Sequence, residues 1–97
     1  MHLIYCPCPD ADVAEALART LLENRLAVCV NIIPAVTSLF VWDGQIVQET
    51  EVVMVVKTLT PQEASDSLAQ NHPYDVPAII AIPADANAAF QAWAQGV

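Results

Sequence analysis

The chain has only two glycines, Gly44 and Gly96. A phosphate cradle of the P-loop or dinucleotide type needs several glycines in one tight turn, so phosphate binding through a glycine loop is excluded, as is a G-x-S-x-G nucleophile elbow. Basic residues are as scarce: Arg19, Arg25 and Lys57 face eleven Asp and Glu, for a formal charge of −8. Such a surface repels phosphate backbones, and nucleic acid is not expected as a partner. No apolar run approaches the roughly 20 residues of a membrane-crossing helix, so no membrane partner is expected either. Cysteine is limited to Cys6, Cys8 and Cys29, without the C-x-x-C pair or H-x-x-x-H of a closed structural zinc site. The start, Met1-His2-Leu3-Ile4-Tyr5, has neither the basic region nor the long apolar stretch of a signal peptide. Three cysteines cannot all pair within one chain, so a cytoplasmic, reducing location is the expectation.

Apolar residues, by contrast, are abundant. They make up 56% of the chain against 14% charged, where an ordinary soluble domain carries about 25% charged residues. Ninety-seven residues fit one domain, spanning 1–97, and a domain this small buries a modest share of its surface. Too few polar groups remain to cover a monomer, which predicts a homo-oligomer with the apolar excess at its subunit contacts. The acidic excess also attracts cations, although solvated acidic faces commonly serve solubility alone.

Local patterns supply the order of elements. Residues 2–6, HLIYC, read as a first strand stopped by Pro7 and Pro9, with Cys8 in the following loop. Asp10 or Asp12 can cap a helix running to about Asn24, its apolar stripe made by Val13, Leu17 and Leu21 with Ala14, Ala18 and Leu22. LAVCVNII, residues 26–33, predicts a strand covered on both faces, and VTSLFVW, residues 36–42, continues it past a bend or bulge at Pro34-Ala35. Asp43-Gly44 is a tight-turn dipeptide, so the return arm through Lys57 completes a hairpin long enough to project from the domain body. Pro61 after Thr60 opens a second helix ending near Gln70-Asn71. Residues 78–82, AIIAI, predict a fourth strand, and Asp85 or Asn87 caps a short last helix carrying Phe90 and Trp93. The order βαββαβ plus a helix is an α+β, ferredoxin-like arrangement with a long central hairpin and a short C-terminal helix.

Reactive chemistry concentrates in two places. His72-Pro73-Tyr74-Asp75-Val76-Pro77 holds an imidazole, a phenol and a carboxylate between prolines that force His72 and Val76 into extended backbone. The loop is either a functional site or a turn in which Tyr74 packs and His72 faces water. Cys6 and Cys8, two apart, can point to one side and offer two thiolates to a soft metal; the plainer alternative is a buried Cys6 and an incidental loop thiol at Cys8. Cys29 reads as a core residue. Glu49 and Glu51 alternate onto one strand face as oxygen donors or as a solvated edge. Cys6, His72 and Asp75 contain the residue types of a thiol nucleophile, base and orienting carboxylate, but no spacing brings them together. Trp42 and Trp93 read as packing residues or as the lining of a pocket or interface.

LLENRLAVCVNIIPAVTSLFVWDGQIVQETEVVMVVKT together with HPYDVPAIIAIP resembles the CutA-type divalent-cation tolerance family over nearly the whole chain. The resemblance rests on CVNIIP, the following VTS with Trp42 before a turn glycine, the Lys57-Thr58 pair and the HPY-V-P loop. It implies a ferredoxin-like subunit in a tight homotrimer that shares its hairpins, and a non-enzymatic metal-binding role is the leading expectation, ahead of a thiol-dependent enzyme. It implies divalent cation binding, copper especially, through Cys6 and His72, with Glu51 as a secondary ligand; on the residue chemistry itself zinc fits as well as copper, Asp75 is an optional oxygen donor, and the absence of a closed site implies weak binding. Asn71 stands where some bacterial relatives have a second histidine, and Ala35 where glycine is usual. A different resemblance, to the trimeric PII signalling proteins, implies a small ligand in the cleft between subunits.

Overall fold

The computed structural model describes residues 1–97. In chain order the elements are β1 (His2–Cys8), α1 (Ala11–Glu23), β2 (Cys29–Trp42), β3 (Gln45–Thr58), α2 (Pro61–Asn71), β4 (Ile80–Pro83) and α3 (Ala88–Gln95). The strands form one antiparallel sheet in the order β2-β3-β1-β4. This is the predicted α+β arrangement, with a 14-residue strand in each arm of the hairpin and an overall shape of 45 × 23 × 22 Å.

Helix ends follow their local chemistry. Asp10, rather than Asp12, caps α1 by accepting the Val13 N–H at 2.8 Å. At the far end the Leu26 N–H bonds the Leu21 carbonyl and the Arg25 N–H bonds that of Leu22, a Schellman closure with Arg25 at φ 58. The α1 stripe places Ala14, Leu17, Ala18 and Leu21 in the core, while Leu22 is exposed. Full burial of a side chain such as Leu21 is worth roughly 1.5–3 kcal/mol. Thr58 ties α1's exit to β3: its buried hydroxyl donates to the Leu26 carbonyl at 2.7 Å and accepts the Thr60 N–H at 2.9 Å.

Strand alternation divides the sheet into two unlike faces. Ile4, Cys6 and Cys8 of β1 and Val52, Met54 and Val56 of β3 lie under α1 and α2 in the core. The other face carries Tyr5, Ile33, Ile80 and Ile82, all exposed, with the Lys57 ammonium 5.4 Å above the Phe90 ring of α3. Cys29, expected in the core, pairs with Lys57 on this second face and is half-buried. The strand expected from Leu26 with both faces covered begins at Cys29, and Asn31–Ile33 are exposed because β2 is the sheet's edge.

Two proline effects depart from local expectation. β1 does not stop at Cys6 but runs through Pro7 to Cys8, against Val53 and Val52 of β3. The Pro7 carbonyl points at His72, away from β3, so its ring nitrogen also faces the side where no strand needs a donor. On that side β4 ends at the Tyr5–Ile80 pair, although its strand was expected to begin at Ala78. An extension to Ala78 would meet an imide nitrogen without hydrogen. The predicted bend in β2 is a bulge between Ile33 and Val36, with Ala35 at φ 56. Asp43 and Gly44, at φ 51 and 76, make the expected hairpin turn.

Candidate metal centre

Three potential ligands converge where β1 ends against the C-terminus of α2. Cys6 and Cys8 project to the same face because they are two apart on one strand, and both are fully buried. Pro73 forces His72 to end α2 in extended backbone (φ −71, ψ 137), which turns the imidazole back onto β1. One ligand atom from each of Cys6, Cys8 and His72 lies within 4.8 Å of the others, and all three residues are buried. Of the two readings of the loop, the water-facing imidazole is the one the structure rejects. Cys8 is no loop thiol either. The signal for it was the C-x-C spacing, which becomes informative only once the strand continues through Pro7.

His72 is fully engaged in this arrangement. Its Nε2 lies 2.9 Å from the Pro7 carbonyl, which can only accept, so Nε2 carries the hydrogen. Nδ1 accepts the Tyr74 N–H at 3.1 Å. Either nitrogen would give up a hydrogen bond to take a metal. The thiols hold weaker contacts: Cys6 Sγ to the Pro7 carbonyl at 3.9 Å, and Cys8 Sγ to the Cys6 carbonyl at 3.7 Å and to Met54 Sδ at 3.5 Å.

Glu51 lies outside the sulfur cluster. It is an odd-numbered residue of β3, on the face opposite Cys6 and Cys8, and its Oε2 accepts the Tyr74 hydroxyl at 2.9 Å. Tyr74 joins the two faces around the sheet's open corner, with its ring 4.7 Å from that of His72. A cleft of about 880 Å³ opens there, lined in part by Tyr5, Pro7, Glu49, Glu51, Tyr74 and Asp75. Trp42 also lines it and is exposed, while Trp93 is exposed on α3. Asn71 turns its amide back onto the Ser67 carbonyl and takes no part.

Electrostatics distinguish the two thiols. Hydrogen bonding with Cys8 pushes the Cys6 thiol far up, with burial and the Cys8 and Glu51 charges adding to it. Cys8 moves down, because the same hydrogen bond favours its thiolate over the opposing effect of burial. Tyr74 is pushed up to about 12 by burial first and by its bond to Glu51 second. Two sulfurs and an imidazole fit a soft or borderline cation such as copper or zinc and do not fit magnesium or calcium, which require oxygen shells.

Comparison with known proteins agrees with this architecture. The profile of the family described as "CutA1 divalent ion tolerance protein" matches residues 2–96. The "Divalent-cation tolerance protein CutA" of Thermus thermophilus is 40% identical over 95 residues, covering 95% of this chain and 92% of that protein. Human "Protein CutA" is 39% identical over 97 residues; the match covers 96% of this chain but only 54% of the human protein. Among solved structures, CutA1 from Ehrlichia chaffeensis superposes with a TM-score of 0.91 at 36% identity, over 98% of this chain and 92% of that one. The "Periplasmic divalent cation tolerance protein CutA" of Archaeoglobus fulgidus gives 0.91 at 38%, over 99% and 97%. The fold thus superposes on those of known relatives over nearly its whole length, and the chain belongs to the CutA1 divalent ion tolerance family.

Proposed function

We propose that residues 1–97 act as one domain of a homotrimeric, non-enzymatic protein that binds divalent cations, copper or zinc, and serves tolerance of them. Cys6 and His72 are the principal ligands, and Glu51 is a secondary oxygen donor approached from the cleft. The observation that carries this reading is the convergence of Cys6 and His72, from opposite ends of the chain, in one buried cluster with Cys8. Names of the matched proteins state a tolerance of divalent ions and specify no reaction. Binding is weak, because His72 must release a hydrogen bond and the cluster supplies three donors where a closed zinc site has four. The acidic surface raises the local cation concentration. Free cysteines suit the cytoplasm, although the Archaeoglobus relative is named as periplasmic.

Two features support the trimer: the exposed apolar sheet face, and the long hairpin with Leu39, Val41, Trp42 and Ile46 exposed. The PII-like alternative has the cleft in its favour, but Glu49 and Glu51 in its lining oppose a phosphorylated ligand.

Anaerobic titration with zinc and copper tests the ligand set. Cys6→Ser and His72→Ala each weaken binding by roughly 10–100-fold, at least the loss expected for an outer-sphere partner. Unchanged affinity in both variants overturns the assignment.

A further inference from the structure

Cys8 Sγ lies 3.5 Å from Met54 Sδ. The contact follows from register. Met54 stands directly opposite Cys6 across the β1–β3 ladder, on the same face, and its unbranched thioether reaches the diagonal neighbour Cys8. Cys6, Cys8 and Met54 are all fully buried. Cys8 Sγ therefore touches Met54 Sδ while lying within 4.8 Å of the Cys6 sulfur and a His72 ring nitrogen.

From this geometry we infer that the pocket is built for a monovalent thiophilic cation of the copper(I) class, held by the sulfurs of Cys6, Cys8 and Met54. This rests on the reading of the end of β1 as a metal site and assigns that site a monovalent ion with a ligand set of its own. Two sulfurs sharing one metal at about 2.3 Å, at a tetrahedral angle, stand about 3.8 Å apart. Cys8 and Met54 already have nearly that separation, and the 4.8 Å limit on the Cys6, Cys8 and His72 donor atoms leaves an adjustment within reach of side-chain rotation. Thiolate and thioether donors together select copper(I) over harder ions. No buried side-chain nitrogen or oxygen lacks a partner, so a hard cation would have to break an existing bond, whereas the sulfurs hold only weak contacts. Charge also balances: one thiol releases its proton to solvent, the second sulfur of the pair and the thioether bind uncharged, and a monovalent ion leaves the pocket neutral. His72 keeps both of its hydrogen bonds.

Silver(I), which is redox-stable and equally thiophilic, is the probe. The full reduced chain is titrated anaerobically in chloride-free buffer against a competing chelator, as wild type, Cys8→Ser, Met54→Leu and His72→Ala. Both sulfur replacements conserve volume, and thermal unfolding confirms that each variant is folded. Wild type takes one silver per chain. Cys8→Ser weakens binding roughly 100-fold and Met54→Leu roughly tenfold, the range by which even outer-sphere partners alter affinity. His72→Ala weakens silver binding less than either sulfur replacement does. X-ray absorption of the bound silver shows sulfur neighbours, fewer in each sulfur variant. Silver binding that ignores both Cys8 and Met54, or a shell of nitrogen and oxygen, overturns the proposal. Zinc titrations run in parallel separate the two readings. Zinc dependent on Cys6 and His72 with silver indifferent to Cys8 and Met54 overturns this inference and spares the divalent one. Silver dependent on Cys8 and Met54 with zinc indifferent to Cys6 and His72 supports this inference and removes the divalent one.

Discussion

Tyr74 belongs to two environments: its ring packs beside His72, and its hydroxyl donates to Glu51 across the corner of the sheet. The folded chain holds the phenol proton up to about pH 12, whereas the unfolded chain loses it near the ordinary value of 10.0. A raised folded value means a contribution to stability that is complete below the unfolded value and is lost as pH climbs through the folded one. In a Tyr5→Phe background, ultraviolet absorbance should follow a single phenol with a midpoint near 12. Glu51→Gln brings that midpoint part of the way down, since burial, the larger cause, remains. A midpoint that does not move would show that the carboxylate has no hold on the ring. At this scale the sequence reveals residue types better than their neighbours. His72 and Cys6 stand out by chemistry and context, whereas Met54 is one apolar residue in VVMVV until the β1–β3 register sets it against Cys6. Glu51 shows the complementary limit: strand parity, which depends on the register through Pro7, decides which side of the sheet it serves.

Elements were legible where one local rule governs them. The Asp43-Gly44 turn, the Thr60-Pro61 helix start and the Asn24 helix end all stand where capping and turn chemistry put them. The break at Pro34-Ala35 was also readable, but not its strain. Ala35 at φ 56 occupies the left-handed region, which costs an L-residue roughly 1–2 kcal/mol relative to glycine. Glycine's greater freedom in the unfolded chain returns about 0.4–1 kcal/mol. Ala35→Gly should therefore stabilise the fold by about 0.5–1 kcal/mol, read as a higher denaturant midpoint at unchanged slope. A lower midpoint would mean that the Ala35 methyl contributes packing that outweighs its backbone strain. Pro7 was misread for a different reason. A rule about proline in strands turns on which neighbour lies on the ring-nitrogen side, and that is a property of the sheet.

At the scale of the whole molecule, composition anticipated a surface that a single chain leaves bare. Only 18 of 97 residues are buried in a chain that is 56% hydrophobic, so most of the apolar excess lies outside the core. The proposed trimer places that excess at subunit contacts, and Ile33, exposed in the edge strand β2 on the sheet face opposite α1 and α2, is a suitable probe. Ile33→Lys should shift the solution mass from trimer toward monomer in sedimentation, because a lysine charge in an apolar contact must be desolvated without a partner. A wild-type monomer of ordinary stability would remove the trimer altogether.

The shortness of β4 bears on how fast an ion could come and go. Pro7 denies β4 further partners beyond Ile80, and the corner of the sheet is consequently closed by the side chains of His72 and Tyr74. An ion passing from the acidic cleft to the sulfurs has to displace those two rings, while every rung of the β1–β3 ladder stays paired. Entry at this corner would call for motion of the loop and its side chains rather than for opening of the core. A buried pocket with such a door needs no unfolding to fill, so affinity rather than access would decide what it holds.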